Sequence, residues 1–224
     1  MKPRELVVVV PVALLLLLAA WRAWLPLSLT ETLGFVTGAI GVWLTVREHI
    51  WNWPIGIANS AFYAVVFFEA RLFADMGLQV VYIVLGILGW YWWLRGGEQH
   101  TALRVSRASP ATLLALAALV AAATWGMTLF LRPIGDTAPF LDALTTMLSL
   151  AAQYLLTRKL IENWYVWIAA DVIYIGLYCY KGLYLTSGLY VLFLGLCVLG
   201  LLRWRQSLTT RPARALALAG EGVR

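Results

Sequence analysis

The sequence predicts an all-α integral membrane protein, and composition, the length of the apolar runs and the distribution of basic residues all indicate this class. The chain has 224 residues, 62% hydrophobic and 12% charged, and its mean hydropathy is +0.80. Ordinary soluble domains carry about 25% charged residues. The apolar runs are unbroken over about 18–23 residues, the length of a spanning helix, whereas a transmembrane barrel shows alternating segments of about ten. A membrane-crossing helical bundle is therefore expected.

Eight spans are predicted along the chain. The first, at 6–25, is expected to be a retained helix, because its apolar run exceeds that of a signal peptide, Pro11 interrupts the run and no clear A-x-A cleavage site precedes Trp21. The segment 95–108 is expected to be a solvated loop, and 205–224 a polar, disordered tail. The remaining spans are predicted at 28–47, 52–70, 75–94, 109–131, 141–157, 162–181 and 185–204.

The basic residues agree with this count of spans. Alternate threading puts both termini in the cytoplasm and thirteen of the 17 Lys and Arg residues on the cytoplasmic side, as the positive-inside rule requires. One missed or invented helix in the middle of the chain would remove that asymmetry. The thirteen are Lys2, Arg4, Arg47, Arg95, Arg104, Arg107, Arg158, Lys159, Arg203, Arg205, Arg211, Arg214 and Arg224, and the other four are Arg22, Arg71, Arg132 and Lys181.

An internal repeat relates two parts of the chain. A displacement of 111 positions aligns Trp53 with Trp164, and the matches spread to both sides of this pair. They include Arg47 with Arg158, Asn52 with Asn163, Tyr63 with Tyr174, Gly89 with Gly200 and Trp93 with Trp204. Each copy holds three spans and one span separates the copies, so the repeat is parallel, about an axis along the membrane normal.

The predicted domains follow from this repeat. They are an accessory transmembrane helix at 1–28, a first three-helix repeat at 29–94, a loop and linker helix at 95–137, a second three-helix repeat at 138–204 and a cytoplasmic tail at 205–224.

Asp171 is the residue that most requires an explanation. It lies near the middle of the span at 162–181, where an ionised carboxylate costs at least about 2.5–3.5 kcal/mol. Trp164, Trp167, Tyr174 and Tyr178 share its helical stripe. Such a stripe is typical of the wall of a polar, aromatic-lined cavity at membrane depth.

The two copies of the repeat differ at this cavity. Asp171 corresponds to Ser60 and Trp167 to Gly56, an asymmetry that fits a small asymmetric solute better than an ion. Amide side chains within the spans need partners, which a bound ligand would supply, although Asn59 would equally serve to join helices. The predicted substrate-binding residues are Trp53, Asn59, Gln79, Tyr82, Trp90, Gln153, Trp164, Trp167, Asp171, Tyr174 and Tyr190. Near span ends, Trp92, Trp93, Tyr178 and Tyr180 are expected to be interfacial anchors.

At these residues the chain resembles the PnuC family of bacterial vitamin transporters, whose usual substrate is nicotinamide riboside. The resemblance covers about 33–204 and rests on the stretches NWPIGIANSAFYAVVFFEARLFADMGLQ and ENWYVWIAADVIYIGLYCYKGLYLTSGLY. The family's turn motif reads LFADMGLQ in the first copy but LYLTSGLY in the second, which departs at the Asp and Gln positions. The resemblance implies two three-helix bundles joined by one helix, as in SWEET transporters with another helix order. It also implies a homotrimer in the bacterial inner membrane and transport without ATP, with the riboside trapped by a cytoplasmic kinase.

The residues agree with that substrate. Nicotinamide riboside has a cationic pyridinium ring, a carboxamide and a ribose, which suit aromatic faces or a carboxylate, an amide partner and hydrogen-bonding groups. A phosphate would need basic groups, and no Lys or Arg is predicted at mid-membrane. No cofactor, metal or nucleic acid is expected, since there is no Walker A pattern and the two cysteines, Cys179 and Cys197, lack metal-ligand spacing.

Two alternatives stay open at this point. A proton-coupled vitamin or nucleoside transporter would use Asp171 as its titrating group. The second alternative, from another class, is a membrane-embedded enzyme or receptor. An enzyme would need a clustered acid-base pair, nucleophile or metal set within the spans, where the sequence offers one acid and no His.

Overall fold

A computed structural model of the chain describes residues 29–69, 71, 73–134, 138–180, 182 and 184–221. Helices dominate the described residues, and this confirms the predicted all-helical class. The predicted span at 6–25 lies outside the described residues. The helices are α1 (Leu29–Val46), α2 (Asn52–Glu69), α3 (Phe73–Arg95), α4 (Pro110–Leu131), α5 (Pro139–Thr157), α6 (Asn163–Tyr180) and α7 (Tyr184–Glu221), with short 3₁₀ turns at Glu98–His100 and Arg132–Ile134.

Among the described residues, four segments are apolar and long enough to cross a membrane by length and composition alone. They are Asp75–Arg95, Pro110–Leu131, Pro139–Thr157 and Thr186–Thr209, and Thr32–Val46 is a shorter apolar helix. Helices α2 and α6 have 18 residues each but are less apolar, because they carry Asn, Trp and Tyr residues. These side chains are the ones from which a polar interior is built. The count of eight spans stays a prediction.

Local sequence signals explain where several helices begin. Ser109 caps α4 by accepting a hydrogen bond from the backbone N–H of Thr112 at 3.1 Å, with Pro110 in the first turn. Pro139 similarly occupies the first turn of α5.

The turns that follow α1 and α5 each contain a residue whose backbone is in the left-handed region, Glu48 at φ 53° and Lys159 at φ 55°. Both turns are tight and lead directly into the next helix.

The structure corrects the expectation that residues 205–224 form a disordered tail. Helix α7 runs 38 residues, from Tyr184 to Glu221, well beyond the predicted end of the last span. The stretch past the span is rich in Ala, Leu and Arg, which have high helix propensity. The helix therefore continues past the predicted end of the span.

The helices pack in a reciprocal pattern. Within each predicted repeat, α2 packs on α3 and α6 packs on α7, while α1 contacts α2 and α5 contacts α6. Among the described residues, α1 packs against α7 and α5 packs against α3, and both contacts cross between the predicted repeats. Each crossing joins the first helix of one predicted repeat to the last helix of the other. The linker helix α4 packs against α5 and leaves most of its apolar surface exposed, including Leu114 at 74%.

Four tryptophans lie together in the buried hydrophobic core of the described residues, and we call them the tryptophan quartet (Trp53, Trp93, Trp164 and Trp204). Trp53 meets Trp93 edge-on with ring centroids 5.4 Å apart, and Trp164 meets Trp204 in the same way at 5.4 Å. Trp93 and Trp204 lie 5.9 Å apart and join the two pairs. One end of the bundle, called here the basic end, is where α1, α3 and α5 finish and α2, α4 and α6 begin. The quartet lies near this end.

The structure corrects two expectations at the basic end. Trp93 is not an interfacial anchor, because only 3% of its surface is exposed and its indole N–H donates to the Leu156 carbonyl at 3.1 Å. The segment 95–108 is not simply a solvated loop. Val105 is buried and Leu103 packs on the core, and the backbone at Ser106 pairs with Lys159 and Ile161. The loop therefore lies across the basic end.

Candidate functional site

Three tyrosines gather between α6 and α7, towards the end of the bundle opposite the basic end. The ring centroids of Tyr174 and Tyr190 are 4.7 Å apart, and those of Tyr178 and Tyr190 are 5.3 Å apart. Tyr174 and Tyr178 stack at 5.9 Å, one helical turn apart on α6. Tyr178, predicted to be an interfacial anchor, is half-buried and packs against these rings two residues before α6 ends.

Two more helices reach this group of rings. Tyr82 on α3 is in polar contact with Ser149 on α5 and is near enough to Tyr174 to interact with it electrostatically. Ser149 is buried, with 4% of its surface exposed. The group therefore stands where helices of both predicted repeats meet, at the α3 to α5 crossing.

A buried carboxylate lies one to two turns nearer the basic end on the same helix. Asp171 is 4% exposed, and the Cys197 thiol on α7 donates a hydrogen bond to its Oδ2 at 3.4 Å. Tyr190, two turns before Cys197 on α7, is near enough to interact with the carboxylate electrostatically. Asp171, Cys197, Ser149 and the four tyrosines Tyr82, Tyr174, Tyr178 and Tyr190 are called here the tyrosine–aspartate cluster.

On the side of the tyrosine–aspartate cluster that faces α1, aromatic and amide contacts join the helices. Tyr190 lies 6.0 Å from Phe193, which meets Phe35 of α1 edge-on at 5.4 Å. On α2, Asn59 donates to the Thr37 hydroxyl at 2.6 Å and to the Gly34 carbonyl at 3.0 Å. Asn59 thus joins α2 to α1, although the sequence also placed it among the ligand-binding candidates.

The structure divides the predicted site residues into separate groups. It brings Tyr82, Asp171, Tyr174 and Tyr190 together. Trp53 and Trp164 are in the tryptophan quartet, 3% and 1% exposed. Within the described part of the chain, neither of these two indole N–H groups has a hydrogen-bond partner, so each keeps a free donor.

Three further candidates are half-buried, and one faces outwards. Trp167 packs against the edge of the buried core, and Gln79 and Gln153 are partly accessible. Trp90 is 39% exposed, because its neighbour Gly89 occupies the face of α3 that meets Trp53 and successive helical residues point about 100° apart. Trp90 therefore stands apart from the tyrosine–aspartate cluster.

Sequence reasoning left Cys197, Ser149 and Tyr178 out of the candidate site. A signal for Cys197 was available, because it follows Tyr190 by seven residues and so lies on the same face of α7. Ser149 shares a stripe with Gln153 on α5 in the same way. Which of these faces meets Asp171 depends on how the helices are rotated about their axes, and only the packing determines that.

The cluster has the chemistry of a site for an organic cation. Aromatic ring faces attract a cation, and this attraction strengthens when water is excluded. A single buried carboxylate adds a negative charge, while Ser149 and the phenol hydroxyls offer several donors and acceptors. Across the described residues there is no grouping of three or more His, Cys, Asp or Glu side chains that would hold a metal ion.

Comparison with known proteins gives a consistent result. A family model described as nicotinamide mononucleotide transporter matches residues 28–206. The chain is 28% identical over 217 residues to the nicotinamide riboside transporter PnuC of Escherichia coli, covering 85% of this chain and 91% of that protein. It is 27% identical over 192 residues to the riboflavin/roseoflavin transporter RibM of Streptomyces davaonensis, covering 82% and 88%.

A solved structure agrees at the level of the fold. The crystal structure of the vitamin B3 transporter PnuC superposes with a TM-score of 0.69 at 23% identity, over 92% of each chain. Both the structural neighbour and the sequence relatives are transporters. This confirms the prediction that the chain is a transporter and not an enzyme. The match over residues 28–206 covers most of the chain, which therefore belongs to the nicotinamide mononucleotide transporter family and is a multi-pass membrane transporter of the PnuC type.

Proposed function

We propose that this transporter carries nicotinamide riboside, and that the tyrosine–aspartate cluster binds it. The observation that carries the proposal is the buried Asp171 carboxylate beside stacked tyrosine rings, at the crossing of the two predicted repeats. The pyridinium ring of the riboside is flat and positively charged. It would stack on Tyr174 and Tyr190 with the carboxylate near its charge.

The rest of the ligand would use the polar groups around the rings. The ribose hydroxyls suit Ser149 and Tyr82, which already contact one another. The carboxamide suits an amide partner, either Gln79 or Gln153, both partly accessible. Trp167 would border the site, while the ligand would reach Trp53, Trp164 or Asn59 only after the surrounding helices moved.

Charge favours the riboside over its phosphorylated form. No Lys or Arg occurs within α1, α2, α4, α5 or α6, and in α3 the one such residue is Arg95 at its end. A phosphate moved beside Asp171 would lose its hydration without gaining a cationic partner. The riboside therefore fits this chain better than the mononucleotide in the family's description.

Riboflavin is the second candidate substrate, because the relative RibM is almost as similar in sequence as the PnuC relative. Its ring system is neutral and larger than a pyridinium ring. A carboxylate buried beside the tyrosines would give no advantage to a neutral ring. Asp171 thus favours the cationic vitamin.

The remaining features of the proposal concern architecture and energetics. The chain would be two parallel three-helix repeats joined by α4, and the equivalent crossings α1 to α7 and α5 to α3 support this arrangement. The basic end would face the cytoplasm of a bacterial inner membrane with both termini inside, as the thirteen basic residues suggest. Transport would be facilitated, a cytoplasmic kinase would trap the riboside, and the family resemblance suggests a homotrimer.

Titration calorimetry on the purified protein tests the substrate. We expect nicotinamide riboside to bind and its mononucleotide, riboflavin and the neutral dihydro form of the riboside to bind more weakly. Asp171→Asn should remove the preference for the cationic over the dihydro form while the protein stays folded. Equal binding of the two redox forms by the native protein would contradict the role of Asp171, and preferential binding of riboflavin would establish the second candidate.

A further inference from the structure

A buried ion pair joins the two predicted repeats at the basic end. Lys159 Nζ lies 3.0 Å from Glu48 Oε2, and the two side chains are 8% and 14% exposed. Lys159 also donates to the Leu103 carbonyl at 3.1 Å and lies 4.4 Å from the centre of the Trp93 ring. Ser207 donates to Glu48 Oε1 at 2.6 Å. The turns after α1 and α5, helices α3 and α7, and the loop that follows α3 therefore meet at this pair.

The pair occupies equivalent positions of the two predicted repeats. Residues 48 and 159 are 111 positions apart, the displacement that also aligns Trp53 with Trp164. Each follows the first helix of its repeat in a left-handed backbone conformation, with φ 53° and 55°. A contact between equivalent positions lies on the axis that relates the repeats, where their relative movement would have to be accommodated.

Two indole hydrogen bonds make the same connection on either side of this pair. Trp93 Nε1 donates to the Leu156 carbonyl at 3.1 Å, and Trp204 Nε1 donates to the Thr45 carbonyl at 3.1 Å. Leu156 and Thr45 are likewise 111 positions apart. The loop at 95–108 lies over these two hydrogen bonds, and the backbone N–H of Ala108 donates to the Glu162 carboxylate at 2.9 Å. The basic end is thus closed by polar contacts over buried indole rings.

The closed end is adjacent to the tyrosine–aspartate cluster. Cys197 donates to Asp171 and also belongs to the buried cluster that contains Trp164 and Trp204. A solute held at Asp171 cannot reach the basic end unless these indoles and the ion pair above them move. An ion pair suits a closure that must reopen, because its attraction is strong when dry and weak once water enters.

We propose that Glu48 and Lys159 form the gate of the transport pathway at the basic end, and that they separate once in every transport cycle. This rests on the transporter activity of the family, and of its tests only the flux and binding measurements use the proposed substrate. The prediction is specific for the pairing of opposite charges at these two positions and not for either residue alone.

A native thiol reports on the gate without any substrate. Cys179 is exposed near the opposite end and Cys197 is buried behind the indoles, so Cys179→Ser leaves one reporter. We expect Glu48→Gln and Lys159→Gln in this background to raise Cys197 labelling by a membrane-impermeant maleimide about tenfold. The effect should appear only when reagent reaches the basic side, as judged by comparing inside-out with right-side-out vesicles.

The double variant E48K/K159E restores opposite charges at equivalent positions and should return labelling towards the native rate. Arg158→Gln is the matched control, because Arg158 neighbours Lys159 but stacks on Trp92 outside the pair, and it should leave labelling unchanged. If the single variants do not fold, the milder Glu48→Asp tests the same point with a smaller increase. Unchanged labelling in a folded single variant, or a folded double variant that labels as fast as the singles, would overturn the gate.

Flux and binding measurements distinguish a failure of the gate proposal from a failure of the proposed substrate. The single variants should alter the rate of nicotinamide riboside exchange severalfold while its Kd stays within about twofold of the native value. A purely structural role would change Kd and the melting temperature together and would contradict the gate. Native protein that neither binds nor transports the riboside would refute the proposed substrate, and the thiol measurement would still decide on the gate.

Discussion

At the scale of single residues, two glycines determine how closely the helices approach. A Cβ added at Gly89 would overlap the Trp53 ring, and one added at Gly200 would overlap the Trp164 ring. We expect Gly89→Ala and Gly200→Ala each to destabilise the protein by about 1–3 kcal/mol through overpacking. Thermal unfolding followed by tryptophan fluorescence measures this. Gly195→Ala is the control on α7, since nothing lies within 4 Å of its added Cβ, and an equal loss there would contradict the explanation.

Cys197 is the second residue whose replacement is informative. Its thiol donates to Asp171 at 3.4 Å, and a hydrogen bond to a charged group contributes about 1.5–3 kcal/mol when the donor is strong. A thiol is a weaker donor, so Cys197→Ala should weaken ligand binding by about 0.5–1.5 kcal/mol. Cys197→Ser should retain most of the affinity in the same calorimetric titration. The idea fails if both variants bind equally well or equally poorly.

At the scale of helices, the two indole hydrogen bonds provide a matched pair of tests. Trp93→Phe and Trp204→Phe each remove one hydrogen bond to a buried carbonyl, at Leu156 and at Thr45, and leave that carbonyl its bond from the backbone N–H of Lys159 or Glu48. Each should cost about 0.5–1.5 kcal/mol, and the two losses should be similar if the crossings are equivalent. Thermal unfolding in detergent provides the comparison.

Trp90→Phe is the control for these helix contacts, because Trp90 is on α3 like Trp93 but is 39% exposed. It should change the melting temperature little. A large loss for one crossing and none for the other would argue against two equivalent repeats, even though each helix pair is in contact.

At the scale of the whole molecule, the open question is what drives net transport. A facilitator should equilibrate nicotinamide riboside across proteoliposomes at a rate that an imposed pH gradient does not change. Accumulation should then require an enclosed kinase and ATP. Asp171 is the one acidic residue in the middle of a predicted span, so a proton-driven mechanism would have to use it. Uptake against a gradient, driven by pH alone and lost in Asp171→Asn, would decide for proton coupling.

The sequence by itself determined the class and the positions of the described helices, and it placed a single carboxylate, Asp171, in the middle of a span. Apolar runs of spanning length specify helices, because hydrocarbon leaves backbone groups no other partners, and predicted and observed bounds agree within a few residues except at the tail. The 111-residue displacement also identified the paired positions 53 and 164, 93 and 204, whose identical contacts appear in the structure.

Only the tertiary structure decided what those paired residues do. A stripe on a helix shows which residues share a face, but not which neighbour that face meets. Packing buried Trp53 and Trp164 in the quartet, turned Trp90 outwards and brought Tyr82 and Cys197 from distant helices to Tyr174 and Asp171. The ion pair of Glu48 and Lys159 likewise could not be predicted from the sequence. Contacts across an axis depend on how two helix bundles dock and not on the spacing within either bundle.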